Sequence, residues 1–157
     1  MSTQPLPGVF HSPTSGEVLN VVGEHIRVFV DSKSSNAACF IFENISQPGA
    51  GPPLHRHGVD DEYFAVIEGT IKFVVDGQTQ IVHAGGFAFA PRNSIHTFQN
   101  IGDKPSRMLI TCIPGGLETP FRECDRLHKA NQLTPDKVVA AFEKFNLQVL
   151  GPPLSAL

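Results

Sequence analysis

No tryptophan occurs among the 157 residues, Tyr63 is the one tyrosine, and the aromatic content is carried almost wholly by 12 phenylalanines. Phenylalanine brings ring area without a hydrogen-bonding group. A site walled by these residues has few polar handles and suits an apolar or aromatic molecule better than a sugar nucleotide. Lys and Arg form no cluster and the formal net charge is -3, which argues against a phosphate-tracking surface, so no nucleic-acid partner is expected. No apolar run approaches the roughly 18 residues of a membrane helix, and the start, Met1-Ser-Thr-Gln-Pro5, lacks the basic-then-apolar signature of a signal peptide. No membrane partner and a cytoplasmic location are therefore expected. Cys39, Cys112 and Cys124 are odd in number and include no CxxC pair, which suggests reduced, buried and unreactive thiols rather than a disulfide framework.

What the chain does hold is 14 Gly, 13 Pro and 41% apolar residues with only 17% charged ones, the composition of a turn-rich folded domain. Residues 1–17 contain Pro5, Pro7, Gly8, Pro13 and Gly16, and are expected to form an extended arm. From Val18 onward, short runs rich in Val, Ile and Phe recur up to Ile113, each strand-like in length and content. Asp76-Gly77 separates two of them and favours the positive φ values of a two-residue type I′ hairpin, and Glu68-Gly69 suggests a similar reversal. Many short strands with frequent turns predict an all-β sandwich or barrel over residues 18–116.

Helical periodicity appears only after Pro114, and residues 117–157 are expected to form a helical cover. Leu117, Phe121, Cys124 and Leu127 fall on one face, and Val138, Ala141, Phe142 and Phe145 make an i, i+3, i+4, i+7 stripe. Thr134 can cap the second helix, Pro135 suits its first turn, and Gly151-Pro-Pro153 would stop any continuation.

Chemistry concentrates in Gly49-Ala-Gly-Pro-Pro-Leu-His55-Arg-His57-Gly-Val-Asp-Asp-Glu62. Side chains two apart on a strand share a face, so His55 and His57 project together. Glu62 opens the next apolar strand, where its carboxylate can be carried back toward the histidines. Further on, His96 is flanked by alternating apolar residues and could be a fourth ligand. Imidazole and carboxylate together suit one divalent transition metal ion, Fe, Mn, Ni, Co, Cu or Zn, whereas Ca or Mg would prefer oxygen alone. Asp60 and Asp61 lie in the polar turn before Glu62, a place that favours solvent exposure over ligation. His11, His25, His83 and His128 have no comparable setting.

These two stretches resemble the two signature motifs of the cupin superfamily. Gly49, His55, His57, Glu62 and Gly69 meet the first, and Gly85, Pro91, His96 and Asn100 meet the second. One departure stands at Asn93, where the family pattern has Gly, and Asn is the usual next choice for a left-handed residue. The resemblance implies a double-stranded β-helix, a jelly-roll-like barrel with a short C-terminal helical segment, and His55, His57, Glu62 and His96 as metal ligands.

If Glu62 faces inward, so do Phe64 and Val66, and an inward His96 brings Phe98 with it, which would make an apolar substrate pocket over the metal. The region after Leu109 is similar to small cupins related to quercetin and flavonol dioxygenases. That likeness implies a metal-dependent dioxygenase acting on a small apolar or aromatic oxygenated substrate, with Glu62 as both ligand and base. The same ligand set would also serve a redox-neutral isomerase, decarboxylase or hydrolase, or a noncatalytic binding or sensing module. Cupin barrels commonly pair through edge strands, so a homodimer is expected.

Overall fold

Short runs of β-branched and aromatic residues separated by turns satisfy their backbones most simply by pairing with their sequence neighbours, and a computed structural model, which describes residues 5–157, has them paired in two antiparallel sheets. In chain order the elements are β1 (Glu17–Val21), β2 (Glu24–Val30), α1 (Ser32–Ser35), β3 (Phe40–Ser46), β4 (Pro53–His57), β5 (Asp61–Glu68), β6 (Thr70–Val75), β7 (Gln78–His83), β8 (Phe87–Ala90), β9 (Ile95–Asn100), β10 (Ser106–Ile113), α2 (Glu118–Lys129), α3 (Pro135–Glu143) and β11 (Leu147–Pro153). One sheet has the order β1-β2-β3-β10-β5-β8 and the other β11-β4-β9-β6-β7. Their apolar faces meet around Phe40, Phe42, Phe64, Ile71, Met108 and Ile110, all buried. This is the double-stranded β-helix, all-β in its body with short helices near the C-terminus.

Turn chemistry sets the registers. Asp76 and Gly77 take φ of 46° and 78° in the β6–β7 hairpin, where Val75 pairs with Gln78. Asn93 has φ 69°, the left-handed conformation that its replacement of Gly requires. Residues 5–16 form no strand or helix and lie partly on β2, with the ring Nε2 of His11 2.8 Å from the Phe29 carbonyl and the Arg27 guanidinium donating to the Pro13 carbonyl at 2.5 Å. Residues 1–4 of the expected arm lie outside the described residues.

The C-terminal segment departs from a purely helical cover. Leu117, Phe121, Cys124 and Leu127 are buried on α2 as their spacing predicts, and Thr134 caps α3 by accepting from the Lys137 backbone N–H. Helix α3 ends at Glu143, however, and leaves Phe145 beyond it; Asn146 then turns the chain with φ 57°. The chain continues as β11, which pairs with β4 through Leu147 opposite His57 and Val149 opposite His55. Leu147 and Val149 alternate with Gln148 and Leu150, the two-residue period of a strand, and Pro152-Pro153 is tolerated because β11 is an edge strand. Phe121 then closes the gap edge-on to Phe40, Phe42 and Phe142, with ring centroids 5.4 to 5.8 Å away.

The β3–β4 connection passes unusually close to β9. A Cβ added at Gly51 would stand 2.0 Å from the Phe98 carbonyl oxygen, a backbone atom that cannot swing aside. Gly51→Ala is expected to destabilise the fold by about 2–3 kcal/mol through forced displacement of β4 from β9. Gly77→Ala, with positive φ but open space around it, should cost only about 1 kcal/mol. Urea denaturation of the two variants checks the order, and equal losses would remove the close-approach explanation.

Candidate metal centre

Strand pairing brings the predicted ligands together from both sheets. His55 on β4 sits directly opposite His96 on β9, and His57 lies two residues along on the same face. Glu62, at the start of β5 in the other sheet, points across the interior toward them. One ligand atom from each of the four side chains lies within 4.8 Å of all the others, and all four residues are buried. The ring centroids are 4.4 Å apart for His55 and His96, 5.0 Å for His55 and His57, and 5.2 Å for His57 and His96.

The outer nitrogen of each ring has a partner. Nδ1 of His55 is 2.8 Å from the Pro53 carbonyl, Nδ1 of His57 is 2.6 Å from Asp60 Oδ2, and Nδ1 of His96 is 3.2 Å from the Ser94 carbonyl. With Nδ1 donating its proton, Nε2 is left as the free lone pair, the tautomer a metal ligand needs. His57 Nε2 is buried with no hydrogen bond among the described residues, 3.4 Å from Glu62 Oε2, while His96 Nε2 is 3.0 Å from the same oxygen. A buried imidazole nitrogen facing a buried carboxylate is satisfied by a cation between them, a proton or a metal ion. The donor set therefore fits a divalent transition metal.

Electrostatics divides the ligands. Burial and the neighbouring imidazoles of His96 and His57 hold the His55 ring down to about 3, so it is neutral at any working pH. At His57 burial also opposes charge, but Glu62 and Asp60 outweigh it and raise the ring above 6.5. Burial would raise the Glu62 carboxyl; the histidines, His57 first, instead pull it down to about 2. The Cys112 thiol, 3.9 Å from Glu62 Oε1, is pushed far up by burial and by that carboxylate.

Asp60 departs from the exposed position its turn suggests. It is 7% exposed and holds His57, a role with one sequence signal, a carboxylate three residues after a candidate ligand. Its neighbour Asp61 turns outward to the Arg92 backbone N–H and guanidinium, both at 2.8 Å. An apolar cavity reaches His55, His57 and Glu62, walled by Phe42, Phe98, Ile110, Phe121 and Phe142. Of the three residues expected to line it, Phe98 does; Phe64 and Val66 share the inward face but are each 1% exposed and packed into the core beyond it. The C-terminal wall residues Phe121 and Phe142 were legible as apolar helix stripes, but not as cavity lining.

Residues 44–112 match the Cupin domain family. Polyketide synthase CurC of Streptomyces cyaneus is 31% identical over 70 residues, covering 45% of this chain and 46% of that protein. Quercetin 2,3-dioxygenase of Bacillus subtilis is 22% identical over 133 residues, covering 80% of this chain and 39% of that protein. The chain thus spans less than half the length of these curated relatives. Among solved structures, KdgF from Halomonas sp. superposes with a TM-score of 0.64 at 16% identity, over 71% of this chain and 98% of that one, a likeness of fold. Residues 44–112 therefore form a region that matches the Cupin domain family, set in two facing sheets and carrying the motif-spaced histidines and glutamate.

Proposed function

We propose that this protein is a metal-dependent dioxygenase acting on a small apolar or aromatic oxygenated substrate. The observation that carries this reading is an apolar cavity lined in part by His55, His57 and Glu62, three of the four residues of a buried three-histidine, one-carboxylate cluster. The likeness to a quercetin 2,3-dioxygenase over most of this chain supports it. His55, His57, Glu62 and His96 would hold the ion, and a bound transition metal would supply a Lewis acid that acidifies a substrate hydroxyl and a site for redox chemistry.

The chain's own residues account for the remainder. The cavity walls exclude water and orient a ring system against the cluster. Glu62 is ionised throughout the working range, since its carboxyl is held down to about 2, and a carboxylate oxygen there can accept the proton of a substrate hydroxyl. So weak a base works only on a hydroxyl already acidified, which is why the ligand set and the base belong to one site. Asp60 keeps the His57 ring turned inward. The homodimer and the cytoplasmic location belong to the same proposal. The exposed apolar residues Phe87, Phe89 and Ile81 on strands at the open sheet edges support pairing of two copies.

Metal titration of the apo protein tests the centre. His55→Ala and Glu62→Ala are expected to lose stoichiometric metal while retaining the β-rich circular dichroism of the barrel. Asp60→Asn should bind about 10- to 100-fold more weakly. Because a raised His57 must lose its proton to ligate, affinity should rise as pH increases through and above 6.5, and fall by up to about tenfold per unit below it. His55, neutral down to about pH 3, adds nothing to that slope. Undiminished metal in both alanine variants would sink the assignment.

Oxygen-electrode assays test the reaction. Protein loaded with Fe, Mn, Co or Ni should consume oxygen with at least one member of a panel of flavonols, β-diketones and catechols, and the metal-free protein should not. Background uptake with all four metals would end the dioxygenase reading for those substrates and favour redox-neutral chemistry or binding without turnover.

A further inference from the structure

The cavity has a second polar feature, on a different part of its wall from the metal ligands. Glu24 at the start of β2 and Asn44 on β3 both line it, although they are only 8% and 3% exposed. Glu24 Oε2 accepts from Asn44 Nδ2 at 2.9 Å and from the Ser46 hydroxyl, and Asn44 Nδ2 also donates to Ser46 Oγ at 2.8 Å. Every hydrogen of this trio is thereby used within it: two from the Asn44 amide and one from the Ser46 hydroxyl. Left over are acceptors. Glu24 Oε1 and Asn44 Oδ1 take no hydrogen bond from any described residue.

Neither oxygen is among the fully buried polar atoms that lack a partner, so both are open to the cavity, and a polar trio inside an otherwise apolar wall adds nothing to packing that Leu or Val would not supply better. Burial also raises the Glu24 carboxyl above its ordinary 4.5, with Ser46 and Asn44 pulling the other way, and a more basic carboxylate is a better acceptor. We infer that Glu24 and Asn44 form a second recognition point, taking a hydrogen-bond donor at the far end of an elongated ligand whose other end lies at the metal centre. The donor is a phenolic hydroxyl or an N–H group; a carboxylate, an ether or a ketone oxygen finds no hydrogen there. This deepens the proposed function and rests on the cavity's being the substrate site.

The register indicates the length of that ligand. Cys112 on β10 pairs with both Glu62 and Phe40, so Phe40 marks the level of the metal centre on β3, while Asn44, which binds Glu24, lies four residues along the same strand. At about 3.3 Å per residue this is about 13 Å of strand, longer than a single aromatic ring. Two or three linked rings with oxygens at both ends bridge it. Val22, 53% exposed, stands on the rim beside Glu24, which sets the second point just inside the cavity on that side.

Equilibrium binding separates this inference from turnover. Zinc-loaded protein, which needs no redox chemistry, is titrated with a 3-hydroxyflavone bearing a 4′-hydroxyl and with its 4′-methyl ether. The free hydroxyl should bind at least about tenfold tighter to the wild type, since the ether brings an acceptor to two acceptors. In Glu24→Gln the amide oxygen takes over the Asn44 and Ser46 hydrogen bonds and presents an N–H to the cavity, so the preference should shrink or reverse while one zinc per chain is retained. Equal affinities in the wild type, binding of neither compound, or an unchanged preference in zinc-loaded Glu24→Gln would each overturn the second recognition point. The wild-type comparison stands even if the variant does not fold. Absent oxygen uptake, with the hydroxyl preference intact, would instead count against the dioxygenase reading alone.

Discussion

Four polar ligand atoms have to converge inside an apolar barrel from two different sheets, and much of the local structure serves that convergence. His55 and His96 meet because β4 and β9 pair only briefly, at His55 opposite His96 and Arg56 opposite Ile95. The strands stay aligned beyond those pairs through other bonds. The Thr97 hydroxyl donates to the Pro52 carbonyl at 2.7 Å, the Gly49 N–H to the Asn100 carbonyl at 2.8 Å, and the Asn93 N–H to the His57 carbonyl at 2.7 Å. Glu62 reaches the group from β5 on the opposite wall. A shift of one residue in either sheet would turn its ligands to the outer face, so the centre depends on the register of both sheets.

Much of this was readable from residue spacing. The two-residue period places His55 and His57 on one face, Asp76-Gly77 dictates a left-handed pair in a hairpin, and Asn93 substitutes for Gly where φ is positive. What spacing cannot convey is depth. Alternation put Phe64, Val66 and Phe98 on the inward side, yet only Phe98 reaches the cavity, because position along the strand decides whether an inward side chain meets the cavity or the packed core. Asp60 was hidden for a related reason: a turn residue is exposed by default, and only the folding back of Gly58–Asp61 onto His57 makes it a buried partner. Strand β11 was masked by the helix before it and by the prolines at its end, which read as a terminator in isolation and as an edge in the sheet.

The segment after β10 shapes the cavity without supplying a ligand. Helices α2 and α3 and strand β11 occupy the side where β1 and β11 form the two sheet edges. Phe121 and Phe142 from the helices and Leu147 and Val149 from β11 all face the same space as Phe42 and Phe98. The polar anchoring of this cover is remote from the metal centre. Arg122 on α2 binds Glu17 and Asp31, both at 2.8 Å, and Glu118 accepts from the Ser32 and Gly116 backbone N–H groups at 2.9 Å. The helices are thus anchored away from the ligand strands, while β11 is paired directly with β4 opposite His57 and His55, so the cover is tied to the ligand set through that strand.

The distribution of charge within the centre follows from the same arrangement. Glu62 is a buried anion, and in the free protein its nearest compensation is an imidazole, 3.4 Å away at His57 and 3.0 Å away at His96. Asp60 adds a second carboxylate behind His57. Two acids around one ring favour the imidazolium, so without metal the protein can neutralise its interior with a proton, and the barrel does not depend on the ion to offset Glu62. A bound divalent ion would take the place of that proton, and Asp60 would then orient a neutral His57 ring through the same Nδ1 contact. A centre built in this way can fold first and take up its ion afterwards, because the polar atoms that the ion would satisfy are already held in place by bonds to the chain.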